Sequence, residues 1–383
     1  MRTKSIFKLL FLLSTAYMVV LPLNIAPILY MLRIPSLLLI VLLILKQYTY
    51  SRSKHVVSIL TYIGIFLFHF IIDTPLTIDY LLSAFSVILF LLLIIVSDSI
   101  TIDFSTQKFI NICSIAAACV LLAYSQSPFS HMAAFEGQAY PCPYLTYGYE
   151  NSNFAGIITL LVFSLIFITL ETAGKKMKIL CYVLGALLFY CMYETNTRSA
   201  LSVAIIIPFS DLIFRKIHLK NWMLAIVCLI PILFVPFYMH LASMGNADDV
   251  EVMGKSVMSG RQFVYESFIA RMHGTYEWIM GNLADNKLMN AHNGPLAILA
   301  SCGILGFIAY FNIFFSKLFS ANKRAVSHLN ILAVFIIAAC FLNTCGEAAL
   351  LLGGFPVITY LFTFFVFAYS KNKQNDRIRN KKA

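Results

Sequence analysis

Charge is the scarcest property of this chain: 12% of its 383 residues are Asp, Glu, Lys or Arg, while 60% are hydrophobic. A soluble domain carries about twice that share of charge to cover its surface. A water-soluble globule is therefore excluded, and lipid is the solvent for most of the sequence. Also missing are any CxxC pair and any Cys/His grouping at metal-ligand spacing, so zinc modules are excluded. No soluble domain, internal repeat or low-complexity tract breaks the hydrophobic pattern. Any chemistry has to occur at the membrane surface or inside it.

The nine cysteines give little support to a disulfide framework. Cys113, Cys119, Cys181, Cys191, Cys228, Cys302 and Cys340 fall within apolar runs, where cysteine packs as a small hydrophobe. Cys142 lies in a loop and Cys345 near a helix end, which leaves a Cys142–Cys345 bridge as the one open pairing.

What the chain has in abundance is hydrophobic sequence, in lengths near the roughly 20 residues that cross a bilayer core. The expected spans are 6–23, 26–45, 55–72, 79–97, 108–125, 153–172, 177–193, 198–214, 222–241, 293–316, 327–345 and 350–370. The fold class is thus an all-α polytopic membrane protein of about 12 transmembrane helices, one integral membrane domain over 1–383. Arg2, Lys4 and Lys8 precede the first run as in a signal peptide. Leu21-Pro-Leu-Asn offers no small-residue cleavage site, however, so the run is read as a retained helix.

Basic residues collect in cytoplasmic loops. With both termini inside, 22 of the 28 Lys and Arg fall on the cytoplasmic side. Arg33, Arg198, Lys255, Arg261, Arg271 and Lys287 fall outside. Acids divide the other way, which gives +17 inside and −6 outside. The basic excess therefore reflects topology and not nucleic-acid binding. The tail 371–383 reads as a solvated stop that favours anionic headgroups. Two outer loops, 126–152 and 242–292, are long enough to hold a site.

Within the second loop, Gln262–Met280 reads as one amphipathic interfacial helix. Its apolar arc is Val264, Tyr265, Phe268, Ile269, Met272, Tyr276, Ile279 and Met280. Ser259 and Gln262 have the spacing of a capping box at its start. Arg261 then stands in the first turn, where helix end and guanidinium together favour an anion, or it simply touches lipid phosphate. Arg198, in Thr197-Arg-Ser-Ala, either snorkels, pairs with Glu194 or meets an anionic ligand. His292-Asn293 enters another span from the same side, and a histidine there handles protons or merely caps. Asn151 and Asn153 read by default as caps, and Glu347 as a loop charge. These residues come from distant positions yet share one face. Two arginines fit a diphosphate, and a histidine or carboxylate can move a proton. With no metal cluster visible, arginines take the place of a cation.

The ordered motifs resemble the O-antigen ligase and polymerase superfamily of bacterial membrane glycosyltransferases. They are Asn151-Ser-Asn-Phe-Ala, Thr197-Arg-Ser-Ala, Ser259-Gly-Arg, Ala291-His-Asn-Gly-Pro-Leu and Gly303-Ile-Leu-Gly-Phe, over about residues 150–310. The resemblance implies a C-type glycosyltransferase bundle, independent of nucleotide sugars and cofactors. Such enzymes transfer a glycan from undecaprenyl diphosphate at the outer face of the bacterial cytoplasmic membrane. It implies Arg198 and Arg261 on the diphosphate and His292 near the acceptor. Asn153, Arg271, Asn293, Glu347 and Glu194 stand as further substrate contacts. Polymerases vary widely and often keep only such a skeleton, which favours polymerisation of lipid-linked repeat units into O-antigen, capsule or exopolysaccharide. The implied partners are the lipid-linked donor and acceptor, membrane lipid, a chain-length regulator and a flippase. The alternatives are a ligase acting on lipid A core, a flippase or transporter of the same glycans, and a structural or regulatory membrane protein. Transporters carry ionisable groups at mid-depth; here His69 is the main one within a span.

Overall fold

A computed structural model describes residues 3–20, 26–47, 55–72, 78–100, 102–135, 138–149, 151–214, 220–244, 251–252, 255–256, 260–272, 274–282, 292–346 and 365–369. The helices are α1 (Thr3–Val20), α2 (Ala26–Gln47), α3 (Val56–Ile72), α4 (Ile78–Val96), α5 (Phe104–Ser125), α6 (Ser152–Thr172) and α7 (Lys175–Glu194). They continue with α8 (Arg198–Phe214), α9 (Asn221–Ser243), α10 (Arg261–Ala270), α11 (Thr275–Met280), α12 (Gly294–Arg324) and α13 (His328–Asn343). Two small antiparallel hairpins lie in the expected outer loops: β1 (Met132–Phe135) with β2 (Gln138–Pro141), and β3 (Glu251–Val252) with β4 (Lys255–Ser256).

Among the described residues six helices, α1, α5, α6, α7, α9 and α12, are long and apolar enough to cross a membrane. That is half the expected number of crossings. The other expected segments form shorter apolar helices, and 350–370 lies outside the described residues except for 365–369. The outward faces confirm the solvent: Leu45, Val57, Ile71 and Leu212 are each at least 70% exposed, which water would penalise and lipid does not. The protein is a membrane-embedded helical bundle.

Its centre is α6, buried along nearly its whole length and flanked by α5, α7, α8 and α13. Two hydroxyls in this core are satisfied locally. Thr159 Oγ1 donates to the Ala155 carbonyl and Ser164 Oγ to the Leu160 carbonyl, each at 2.8 Å, so neither is stranded in a dry interior. The cysteines are all free, including Cys142 and Cys345, so the open pairing does not form.

Polar contacts sort the bundle into two ends. One end joins Gln47 to Thr3 (2.8 Å), Gln107 to Thr172 (2.9 Å), Asn322 to Asn221 (2.8 Å) and His328 to Glu171 (2.8 Å). The other joins Tyr149 Oη to the Met18 carbonyl (2.6 Å), Leu145 N–H to the Glu194 carbonyl (3.0 Å) and Thr197 to Ser152 (2.9 Å). The first set contains residues expected inside and the second residues expected at the outer mouth.

At the first end Lys4 Nζ is 2.7 Å from Asp103, which also caps α5 through the Thr106 N–H. Lys4, then Thr106, hold this carboxyl well below the usual range. A depressed carboxylate contributes stability above its unfolded pKa that is lost as pH falls through the folded one. The thermal stability gap between wild type and Asp103→Asn should therefore be full at pH 7 and narrow below about pH 4; melting curves across that range would check it.

Three expectations about the outer side need correction. The single interfacial helix over 262–280 is two helices, α10 and α11, with Gly274 in extended conformation as N-cap of the second. The capping box does not form as expected: the N-cap of α10 is Gly260, at φ +70°, and Ser259 lies outside the described residues. Finally, the span expected at 293–316 is not one straight rod. α12 runs on to Arg324 but breaks at Gly303, where φ is +63° and ψ −172°.

The cause of the break is tertiary. Gly281, also at positive φ, closes α11 and lies directly against the Cys302–Gly303 backbone, while Gly303 lies against Ile279 and Met280. Opening the helix frees the Ala300 carbonyl from its helical partner, and the Asn282 N–H takes it at 2.8 Å. Buried His69 of α3 donates from Nε2 to the Met280 carbonyl at 3.0 Å. The outer loop is thereby fastened into the break, and the Ala300 and Met280 carbonyls both find donors.

Candidate functional site

Four of the ordered motifs meet around the turn that follows α13. Asn151 caps α6, its Oδ1 accepting from the Phe154 N–H at 2.8 Å. The start of α8 is pinned to this cap by Thr197 Oγ1, which donates to the Ser152 carbonyl. The two helices touch here because Gly156 has no side chain; a Cβ would stand 2.5 Å from that of Thr197. Arg198 and Ser199 open α8. Arg261 opens α10, and its Nη1 lies beside Gly346 and Ser199.

The start of α12 reaches the same turn. Asn293 is buried and caps α12 through the Leu296 N–H at 2.9 Å. Its Nδ2 faces the carbonyls of Pro231, midway along α9, and Cys345, each at 3.4 Å. The Gly294 N–H donates to the Thr344 carbonyl at 2.9 Å. So α6, α8, α10 and α12 all present their N-terminal ends near residues 344–346. Aligned peptide dipoles make each such end partly positive, and Arg198 and Arg261 add full charges close enough to interact with one another and with Tyr238.

Glu194 accepts a hydrogen bond from the Tyr190 hydroxyl on its own helix. Two like charges held at a mouth of positive helix ends favour an anion between or beside them.

The remaining expected residues divide. His292 immediately precedes the Asn293 cap and has φ +50°, a rare conformation for a residue with a side chain. Asn153 sits half-buried in the first turn of α6 and makes no side-chain hydrogen bond with the other described residues; the cap is Asn151. Arg271 stands at the far end of α10, about 15 Å from Arg261 by helical rise, so it is not brought to the pair. Glu347 lies outside the described residues.

Sequence reasoning did not single out Ser199, Tyr238, Asn343 or Gly346. Tyr238 packs edge-on against buried Tyr265 of α10 at 5.4 Å, which seats α10 on α9. Asn343, one turn before Gly346, is fully buried with neither side-chain atom hydrogen-bonded among the described residues, and Gln262 Oε1 is likewise unpartnered among them. Unsatisfied buried amides cost stability and are uncommon in a folded interior. The polar run Asn343-Thr344-Cys345-Gly346 at the end of an apolar helix was the available signal.

No protein-family model matches the chain, and no curated protein matches it significantly.

The contact at Gly346 yields a test. A methyl group there would stand 2.9 Å from Arg261 Nη1 and 3.3 Å from Ser199 Cβ. Gly346→Ala should therefore displace the guanidinium and weaken anion binding about tenfold, since a misplaced charge-assisted bond is worth about 1.5–3 kcal/mol. Isothermal titration with a diphosphate-bearing lipid would measure it, alongside an unchanged melting temperature.

Proposed function

We propose that this protein is a polysaccharide polymerase of the bacterial cytoplasmic membrane, a glycosyltransferase that joins undecaprenyl-diphosphate-linked oligosaccharide repeat units. The single observation that carries the reading is the meeting of Arg198 and Arg261 with four helix N-termini at one mouth. This equipment suits a diphosphate that gains charge as it departs from an anomeric carbon. The reading takes twelve crossings, cytoplasmic termini and an outward-facing mouth, as the division of basic residues favours.

In the proposed reaction the acceptor hydroxyl of one repeat unit attacks the anomeric carbon of another. The carbon–oxygen bond to the diphosphate breaks, its electron pair leaves with undecaprenyl diphosphate, and the arginines stabilise that charge. His292 takes the proton from the attacking hydroxyl. Asn153, with its amide uncommitted, is available to a sugar hydroxyl at the same mouth.

A transporter of the same glycans is the second reading, because broken helices line transport sites. Here the break in α12 is filled by Met280–Asn282 and closed by His69, which counts against an open path.

The test uses purified protein in nanodiscs with lipid-linked repeat units, and glycan length is measured across pH. Products longer than one repeat are expected; their absence, together with movement of intact lipid-linked glycan between leaflets, would replace the polymerase by the transporter. His292→Asn keeps the left-handed backbone, which asparagine tolerates, but removes the base. A loss of about 100-fold or more in turnover is expected, with little change in donor affinity.

A further inference from the structure

A second polar feature lies at the opposite end of the bundle and is independent of the glycan chemistry. Between the first turns of α9 and the last turns of α12 is a cavity of about 500 Å³. Its polar half is formed by Asn221, Ser316, Ser320 and Lys323, and among the described residues no carboxylate lines it. Lys323 is exposed and makes no ion pair or hydrogen bond with the other described residues. Asn221 spends its Oδ1 on Asn322 at 2.8 Å, which leaves its Nδ2 as a donor. Arg324, beside Lys323, is steadied by donating from Nε to the Ser320 carbonyl at 3.0 Å. Lys220 precedes α9, whose first turn has no side-chain cap. Among the described residues, the charged side chains at this opening, Lys220, Lys323 and Arg324, are positive.

The other half is apolar and continues beyond the cavity. Trp222, Ala225 and Phe319 form its wall. From Trp222, 60% exposed, a stripe of exposed side chains follows one face of α9 through Ile226, Leu229, Leu233 and Phe237. These positions recur at helical spacing and face outward, where acyl chains lie. A cationic pocket joined to a long lipid-facing stripe fits an amphiphile with a negative head, and a tryptophan at the junction is the residue type of the membrane interface.

We infer that this crevice is a binding site for one anionic glycerophospholipid, its phosphate held by Lys323 and Asn221 and an acyl chain laid along α9. A free phosphate ion would satisfy Lys323 but leave Trp222 and the stripe without a partner. Binding from the bilayer needs no conformational change, since the opening faces the lipid.

The experiment is native mass spectrometry of the delipidated full-length protein, titrated with phosphatidylglycerol, with phosphatidylcholine and with inorganic phosphate. One phosphatidylglycerol is expected to be retained in preference to phosphatidylcholine. Lys323→Ala should weaken it about fivefold, the loss of one lysine near an anionic head. Trp222→Ala should weaken it too, while Trp222→Phe should not. Lys176→Ala, which removes an exposed lysine on α7 at the same end, should leave retention unchanged. Melting curves would establish that each variant is folded. Equal retention of the two lipids would overturn the inference, as would equal losses from Lys323→Ala and Lys176→Ala, or full competition by inorganic phosphate.

Discussion

Gly303→Ala is expected to yield little or no monodisperse protein after detergent extraction, the largest effect foreseen for any single change in the bundle. Residue 303 holds φ +63° and ψ −172°, a region essentially reserved for glycine, and an L-residue there costs about 1–3 kcal/mol. Its new Cβ would also overlap the Ile279 carbonyl and crowd the Met280 nitrogen. Backbone cannot swing away as a side chain can, so overpacking adds about 1–3 kcal/mol more. Together these are a large part of the about 5–15 kcal/mol that holds a typical protein folded. Gly306→Ala, in the same helix, also crowds the Cβ of Cys302 but has no positive φ to strain, and should be milder. Fluorescence-detected size exclusion of both variants would decide it; equal recovery of Gly303→Ala and wild type would mean the break is not required.

The second large effect is catalytic. Arg261→Ala should lower kcat/KM for lipid-linked repeat units by about 100-fold or more, the scale on which removal of a preorganised group facing developing charge acts. Arg261→Lys should recover only part, because an ammonium keeps the charge but loses the planar fork that matches phosphate oxygens. Arg271→Ala should stay near wild type, as that residue stands at the far end of α10. Initial rates at matched, folded protein levels would separate these outcomes. Wild-type rates from Arg261→Ala would remove the polymerase reading's central support.

How far the sequence carries such statements depends on whether a feature is local. The apolar runs were legible because crossing a bilayer needs about 20 uninterrupted apolar residues, and helices such as α6 and α7 fall where expected. Helix starts were legible where a short polar residue closes the run: Asn151 and Asn293 both cap as such residues do. The break in α12 was hidden, because Gly303 lies in a continuous apolar stretch and bends only against Gly281 from another part of the chain. For the same reason α10 and α11 read as one helix: their apolar spacing is continuous across Met272 and Tyr276, and the interruption at Gly274 has no periodic signature. The turn at 344–346 looked like an ordinary loop. Its role comes from which helix starts it touches, and that is a property of packing alone.

The described parts of α3 and α8 run for 17 residues each, about 25 Å of rise against a hydrocarbon core of about 30 Å. Both turn apolar side chains outward, Ile71 and Leu212 among the most exposed. A crossing of that length would draw the bilayer beside it thin by a few ångströms, since exposing acyl chains to the helix ends costs more than compressing them. Beside α8, headgroups would then sink toward Arg198, its first residue. Under the proposed function, a lipid diphosphate arriving there would travel less far from its own leaflet to the arginine pair. Such a shallow ramp would make membranes of short-chain lipid suit the protein better than thick ones.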